Sequence, residues 1–257
     1  SKRVAWADPL PLEDVKTVGK ALGCTVNDVL LTAACGALRA YLLDQGEQID
    51  GLKIRATVPV NLRPIEHAKE LGNEVPDEPV IFMKPKSALL QTNSPFYYPE
   101  FTNELHYECE VVLRICKNGK YLQERTASEY YDAISVGIDF TARDIQAELK
   151  KKGLPWEKAK AWDNSAVLGK WAPIPDSFDK NNVHFSMKKN GELVQTGHTK
   201  DMIHNFDKII AHVSNYFSLN IGDVIFTGTP AGVGECVVGD ELEGFLGNDS
   251  MFKLTIQ

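Results

Sequence analysis

Two glutamates stand two residues apart in the run Leu105-His106-Tyr107-Glu108-Cys109-Glu110. In an extended chain, residues i and i+2 project to the same face, so Glu108 and Glu110 can aim at one point. Taken alone, such a pair is more often a solvated strand face than a site. A third carboxylate, Asp139, stands where the apolar run ending in Gly137-Ile138 meets Phe140-Thr141-Ala142-Arg143-Asp144. An aspartate at such a strand-to-helix junction is commonly a helix N-cap. Further on, Gly153-Leu154-Pro155-Trp156 precedes Lys160, which by itself reads as a surface charge. Finally, Gly222-Asp223-Val224-Ile225-Phe226-Thr227-Gly228-Thr229-Pro230 is a β-rich run ending in a glycine-rich turn. Its backbone N–H groups suit a carboxylate, although a plain tight turn is the more common explanation.

The elements that must position these groups change character along the chain. Residues 10–22 read as a short helix stopped by Gly23. Thr25 and Asp28 then form a capping pattern ahead of Val29, Leu30, Ala33, Ala34, Ala37, Leu38, Tyr41 and Leu42 at helical spacing. Residues 54–60 read as a strand. Two helices and one strand are too few to bury the apolar face of the second helix without added partners. From Val80 onward, short β-rich runs predict strands over 80–83, 110–115, 133–138, 183–188, 224–227 and 252–256. Asn118-Gly119 and Asn190-Gly191 read as hairpin turns. Helices fit 142–151 and 202–216.

The bulk numbers bound the function class. The 257 residues are 43% hydrophobic and 25% charged, as in a globular protein. A net charge of −7 disfavours general affinity for nucleic acid or an anionic membrane. Anionic small substrates remain compatible, because a bound cation reverses the local sign. No apolar run reaches the length of a membrane span, and the N-terminal residues lack the plan of a signal peptide. Cys24, Cys35, Cys109, Cys116 and Cys236 are scattered and form no C-x-x-C pair. Reduced thiols and a cytoplasmic setting are the plain expectation.

Together, Phe82–Ala88, Leu105–Glu110, Asp139–Gln146, Gly153–Lys160 and Thr227–Gly234 resemble the fumarylacetoacetate hydrolase family, closely its acylpyruvate hydrolases and oxaloacetate decarboxylases. The resemblance implies an α+β fold, the family's mixed β-roll or sandwich, usually a homodimer. It implies magnesium or manganese bound by Glu108, Glu110 and Asp139, with a small 2-oxo acid as substrate. Lys160 would neutralise substrate charge, while Lys84, Arg143, Gln146 and Thr229 would line the substrate site. Three carboxylates without His or Cys suit such a hard cation rather than zinc. The implied chemistry is hydrolysis of a carbon–carbon bond in short acylpyruvates, or decarboxylation of oxaloacetate, through an enolate common to both. The family also uses a His and a Glu on a mobile helical turn to activate water. His67 and Glu70 fall at the matching place, three residues apart and so on one helix face.

The front of the chain departs from that pattern. Asn61-Leu62-Arg63-Pro64 stands where family members carry Gly-Arg-Asn-Tyr. Asp8–Leu12, Gly23–Leu31 and Arg55–Pro64 instead resemble an internal fragment of the bacterial wax ester synthase/diacylglycerol acyltransferase family. That family's H-H-x-x-x-D-G acyl-transfer motif is absent, so acyl transfer is not expected from this segment. The expected organisation is a fragment of two helices and a strand at 1–64, followed by a catalytic domain at 65–257. The strand at 54–60 would stand in for the family's missing first strand, with the two helices appended. An inactive chimera that binds metal without a working lid is the alternative, and a lipid-related module at 1–64 a more distant one.

Overall fold

The chain divides into two compact units, Ser1–Ile54 and Arg55–Gln257. A computed structural model describes residues 12–22, 56–61, 78–91 and 94–257. In the first unit it contains the helix Leu12–Leu22, close to the expected span. The helix expected to follow Thr25, and the pair His67 and Glu70, lie outside the described residues. No helix among the described residues is long and apolar enough to cross a membrane.

The strands of the second unit are β1 (Ala56–Asn61), β2 (Val80–Ile81), β3 (Lys84–Pro85), β4 (Leu105–Tyr107), β5 (Cys109–Ile115) and β6 (Tyr131–Asp139). They continue with β7 (Thr141–Ala142), β8 (Ala166–Leu168), β9 (Ala172–Pro173), β10 (His184–Lys189) and β11 (Glu192–His198). The last are β12 (Val224–Phe226), β13 (Gly234–Glu235), β14 (Glu241–Leu246) and β15 (Asp249–Thr255). An eight-stranded sheet runs β2-β1-β12-β5-β6-β8, with β3 also on β1 and β9 also on β6. A second sheet runs β11-β10-β14-β15, and a small third one β13-β4-β7. The β1–β12 pair is parallel while the other pairs are antiparallel, so the expected α+β class with a mixed sheet is what is found.

Residues expected to close the first segment pair into the second unit. Val58 lies opposite Ile225 and Thr57 opposite Val224, which makes β1 a member of the large sheet. The contact boundary therefore falls ahead of this strand rather than after it. The expected strand at 80–83 is shortened to β2, which pairs with the end of β1, while the following β3 pairs with the start of β1.

β5 and β6 form the centre of the large sheet. Val111, Val112, Leu113, Ala133, Ile134, Val136 and Ile138 are all buried, because the sheet is covered on both faces. β14 and β15 pack on β6, and β10 on β5. The helix Phe206–Tyr216 adds Phe206, Ile209, Ile210 and Val213, one stripe at helical spacing, to the same core. It starts later than the expected 202 because Asn205 caps it, the side-chain oxygen accepting from the Lys208 N–H at 2.8 Å. The helix Arg143–Lys152 ends at Gly153 in the left-handed region (φ +64°).

Only one of the two expected turns closes a tight hairpin. Asn190 (φ +54°) and Gly191 (φ +83°) connect β10 to β11. Asn118-Gly119 does not make a hairpin: β5 reaches β6 through two short helices, Glu124–Ala127 and Ser128–Tyr130. Gly119 exchanges both backbone hydrogen bonds with Leu219 instead, at 3.0 and 2.8 Å. A distant segment thus takes the groups that a local turn would have used.

Gly137 lies opposite Glu110 in the β5–β6 register, tight against neighbouring strands of the same sheet. A Cβ there would sit 2.5 Å from the Val167 carbonyl oxygen and 2.8 Å from the Phe226 ring. Gly137→Ala is expected to lose about 1–3 kcal/mol of stability by overpacking, read as a lower denaturation midpoint. An unchanged midpoint would show that the sheet yields there freely.

Candidate active site

The three carboxylates meet because three strand ends converge. Glu108 occupies the single-residue break between β4 and β5, and Glu110 is the second residue of β5. Asp139 is the last residue of β6, and its N–H donates to the Glu108 carbonyl at 2.9 Å. That bond sets the end of β6 against the start of β5. From the end of β12, the Gly228 N–H donates to the Glu110 carboxylate at 2.6 Å. Each of the three residues offers an oxygen within 4.8 Å of the others, and all three are buried. Asp139 is not a helix cap: Ala142 holds that position, and the Asp139 side chain points into this cluster.

Three cations surround the carboxylates. Lys160 is fully buried, with Nζ 2.7 Å from both Glu108 Oε2 and Asp139 Oδ2. Taken alone it read as a surface charge; the fold instead buries it under the Phe82 ring, 5.2 Å from the centroid. Lys84 Nζ lies 2.7 Å from Asp139 Oδ1 and donates to Ser165 Oγ at 2.9 Å and to the Lys160 carbonyl. Arg143 Nη2 donates to Glu108 Oε1 at 2.7 Å, and Nη1 to Gln146 Oε1 at 2.7 Å. Its Nε faces His106 Nδ1 at 3.4 Å, while His106 Nε2 is 3.0 Å from Glu104.

Burial and charge set the protonation tendencies. Burial, then the charges of Asp139 and Glu108, push the Glu110 carboxyl well above the usual carboxylate range. The Gly228 N–H opposes this only in part. Burial alone would lower the Lys160 ammonium, but Asp139 and Glu108 outweigh it and hold the group above an ordinary lysine. For Lys84 burial wins over the attraction of Asp139, and the group lies below an ordinary lysine.

All the expected site residues among the described ones fall in this region, but at different depths. Glu108, Glu110, Asp139, Lys160 and Arg143 are in direct contact as one cluster, and Gln146 joins through Arg143. Lys84 stands behind Asp139. Thr229 lies behind the Glu108–Glu110 pair, its hydroxyl donating to the Cys109 carbonyl at 2.9 Å. Two buried residues escaped the sequence reading, Ser165 and Gln195. Ser165 follows no motif. Gln195 is buried while Leu193, two residues earlier, is 61% exposed, because a register shift against β10 puts them on opposite faces, so simple alternation gave no signal.

The donor set fits a hard divalent cation. It consists of oxygen donors alone, and it includes a carboxyl whose ionisation is opposed by burial and two like charges, which a cation would relieve. Cation binding is therefore expected to displace protons. The affinity for Mn2+ or Mg2+ is expected to rise with pH through the raised range of Glu110 and to level off above it, as titration calorimetry would read. A pH-independent affinity would show that Glu110 is already ionised without the cation.

Residues 56–257 match the family described as "Fumarylacetoacetate (FAA) hydrolase C-terminal". Among curated proteins, the chain is 41% identical over 202 residues to the oxaloacetate tautomerase YcgM of Escherichia coli, covering 77% of this chain and 90% of that protein. Among solved structures it resembles a fumarylpyruvate hydrolase from Pseudomonas aeruginosa in complex with Mn2+ and pyruvate. There the identity is 31% and the TM-score 0.73, with 79% of this chain and 89% of that one covered. A 5-carboxymethyl-2-hydroxymuconate delta-isomerase from Mycobacterium smegmatis is similar at 30% identity and TM-score 0.68, covering 79% and 78%. Carboxylates buried at converging strand ends, set in this fold and matched over this length, make the chain a member of the fumarylacetoacetate hydrolase family.

Proposed function

We propose that the second unit acts on short 2-oxo acids with a divalent cation, magnesium or manganese, interconverting the keto and enol forms of oxaloacetate. The observation that carries this reading is the cluster Glu108, Glu110 and Asp139, ringed by Lys160, Lys84 and Arg143. Three cationic side chains already match the three carboxylates, so an added divalent cation leaves the site net positive and suited to a dianion. The oxaloacetate tautomerase named above supports the substrate. The fumarylpyruvate hydrolase with bound Mn2+ and pyruvate favours a second reading, in which an acylpyruvate is cleaved beside the ketone.

Both reactions need electron density to move from the carbon beside the ketone onto the keto oxygen. A cation held by the three carboxylates would supply Lewis-acid polarisation of that ketone. Lys160 places an ammonium between Glu108 and Asp139, where it holds a proton and a positive charge against developing negative charge. Arg143, with 19% of its side chain exposed, is the one of the three cations open to a substrate carboxylate, and Gln146 orients it. Lys84 is spent on Asp139, Ser165 and the Lys160 backbone, so its part is to position rather than to bind. His67 and Glu70 are proposed as the pair that exchanges the proton with carbon or, in cleavage, activates water.

In tautomerisation the proton leaves carbon, its electron pair shifts into a new carbon–carbon double bond, and the keto oxygen takes a proton. In cleavage water supplies the hydroxyl that ends on the departing acyl group, and the enol then regains a proton on carbon. The metal site serves either outcome equally.

The deciding measurement is turnover of oxaloacetate tautomers and of acetylpyruvate by the intact chain, with and without added Mg2+ or Mn2+. Turnover is expected to need the cation and to vanish in Asp139→Ala. Lys160→Met should retain metal affinity but lose about 10²–10³ in kcat, the scale of removing one electrostatic stabiliser. Metal-independent turnover would reject the proposal, and metal binding without turnover would select an inactive chimera.

A further inference from the structure

The peptide unit between Glu108 and Glu110 is gripped from the side opposite β6, by a residue of the other sheet. Gln195, in the centre of β11, is buried, and its Oε1 accepts from the Cys109 N–H at 2.9 Å. Its Nε2 donates to Thr229 Oγ1 at 2.9 Å and to the Pro230 carbonyl at 3.1 Å. The Thr229 hydroxyl in turn donates to the Cys109 carbonyl at 2.9 Å. Both polar groups of the Cys109 backbone therefore end on one closed ring of hydrogen bonds, and each member of it is satisfied.

The glycine-rich turn is shaped to permit that reach. Gly232 has φ +94°, and a Cβ there would lie 2.2 Å from the Val194 carbonyl oxygen and 3.3 Å from Gln195 Cγ. The turn thus rests directly on the backbone of β11, which is what brings Pro230 and Thr229 within hydrogen-bonding distance of Gln195. On the other edge of the same strand, the Asp139 N–H holds the Glu108 carbonyl. The Glu108–Glu110 segment is fixed along both edges, once by its own sheet and once from outside it.

We propose that Gln195 is a positioning residue for the cation site: through Cys109 and Thr229 it sets the separation and aim of Glu108 and Glu110. It touches neither carboxylate and has no direct part in the chemistry. The inference rests on the reading of those carboxylates as cation ligands. A donor and an acceptor on one planar amide satisfy three backbone or hydroxyl partners at once, which neither a carboxylate nor an apolar side chain can reproduce. Partners that orient ligands in this way typically cost about 10–100-fold in metal affinity when removed.

The experiment is Mn2+ binding by titration calorimetry, with thermal unfolding of the metal-free protein measured in parallel, for wild type, Gln195→Leu, Gln195→Glu, Thr229→Val and Thr229→Ser. Gln195→Leu and Thr229→Val are expected to fold and to lose about 10–100-fold in Mn2+ affinity. Thr229→Ser, which keeps the hydroxyl, should restore most of it. Gln195→Glu keeps the acceptor for Cys109 but loses the donors, and should fall between wild type and Gln195→Leu. Folded Gln195→Leu or Thr229→Val with wild-type affinity would overturn the proposal while leaving the cation site intact. Failure of both to fold would also overturn it, by showing that the ring serves the fold rather than the site. A wild-type chain without Mn2+ affinity would overturn the cation reading itself, and this inference with it.

Discussion

Three carboxylates buried within 4.8 Å of one another are the constraint around which this domain is arranged. Each charge withdrawn from water costs several kcal/mol unless partners replace the lost hydration. Here the partners come from four parts of the chain: Lys84 in β3, Lys160 on a short helix, Arg143 at a helix start and the Gly228 N–H after β12. None is close in sequence to all the groups it serves. The cluster is therefore a property of the finished fold, and removing any one partner would leave a buried charge exposed to the others.

Lys160 and Glu110 show how differently that constraint acts on its members. Lys160 sits between two opposite charges, which outweigh its burial and strengthen its hold on a proton. Glu110 faces two like charges and one backbone N–H, so burial opposes its ionisation. The same desolvation acts on both, and the nearest neighbours decide the sign of the result.

The sheets supply the rigidity this arrangement needs. The start of β5 and the end of β6 place Glu110 and Asp139 on backbone that is hydrogen-bonded on both edges, where small displacements are resisted, and the Gly228 N–H comes in after the end of β12. β11 belongs to a different sheet, yet Gln195 reaches across to the same segment. The two sheets are thus tied at the site by hydrogen bonds as well as by the apolar core between them.

Much of this was legible along the chain wherever the information is local. The period-2 spacing of Glu108 and Glu110, the apolar runs that became β5, β6, β10 and β12, the helix near 143–152 and the Asn190-Gly191 turn all follow from side-chain alternation and turn chemistry. The carboxylates themselves were visible as residues, and family resemblance grouped them. What the linear pattern could not state was depth and direction. Lys160 reads as a surface lysine until the fold covers it, Asp139 as a helix cap until β6 ends on it three residues before the cap position, and Gln195 as an ordinary strand residue. Asn118-Gly119 reads as a hairpin until Leu219 claims its backbone groups. By itself, the sequence determined which residues could ligate, pair or turn, because those capacities reside in side chains and neighbouring dihedrals. The tertiary structure alone decided which of them meet, because burial, charge pairing and the pairing of β5 with β12 and of β10 with β14 depend on segments dozens of residues away.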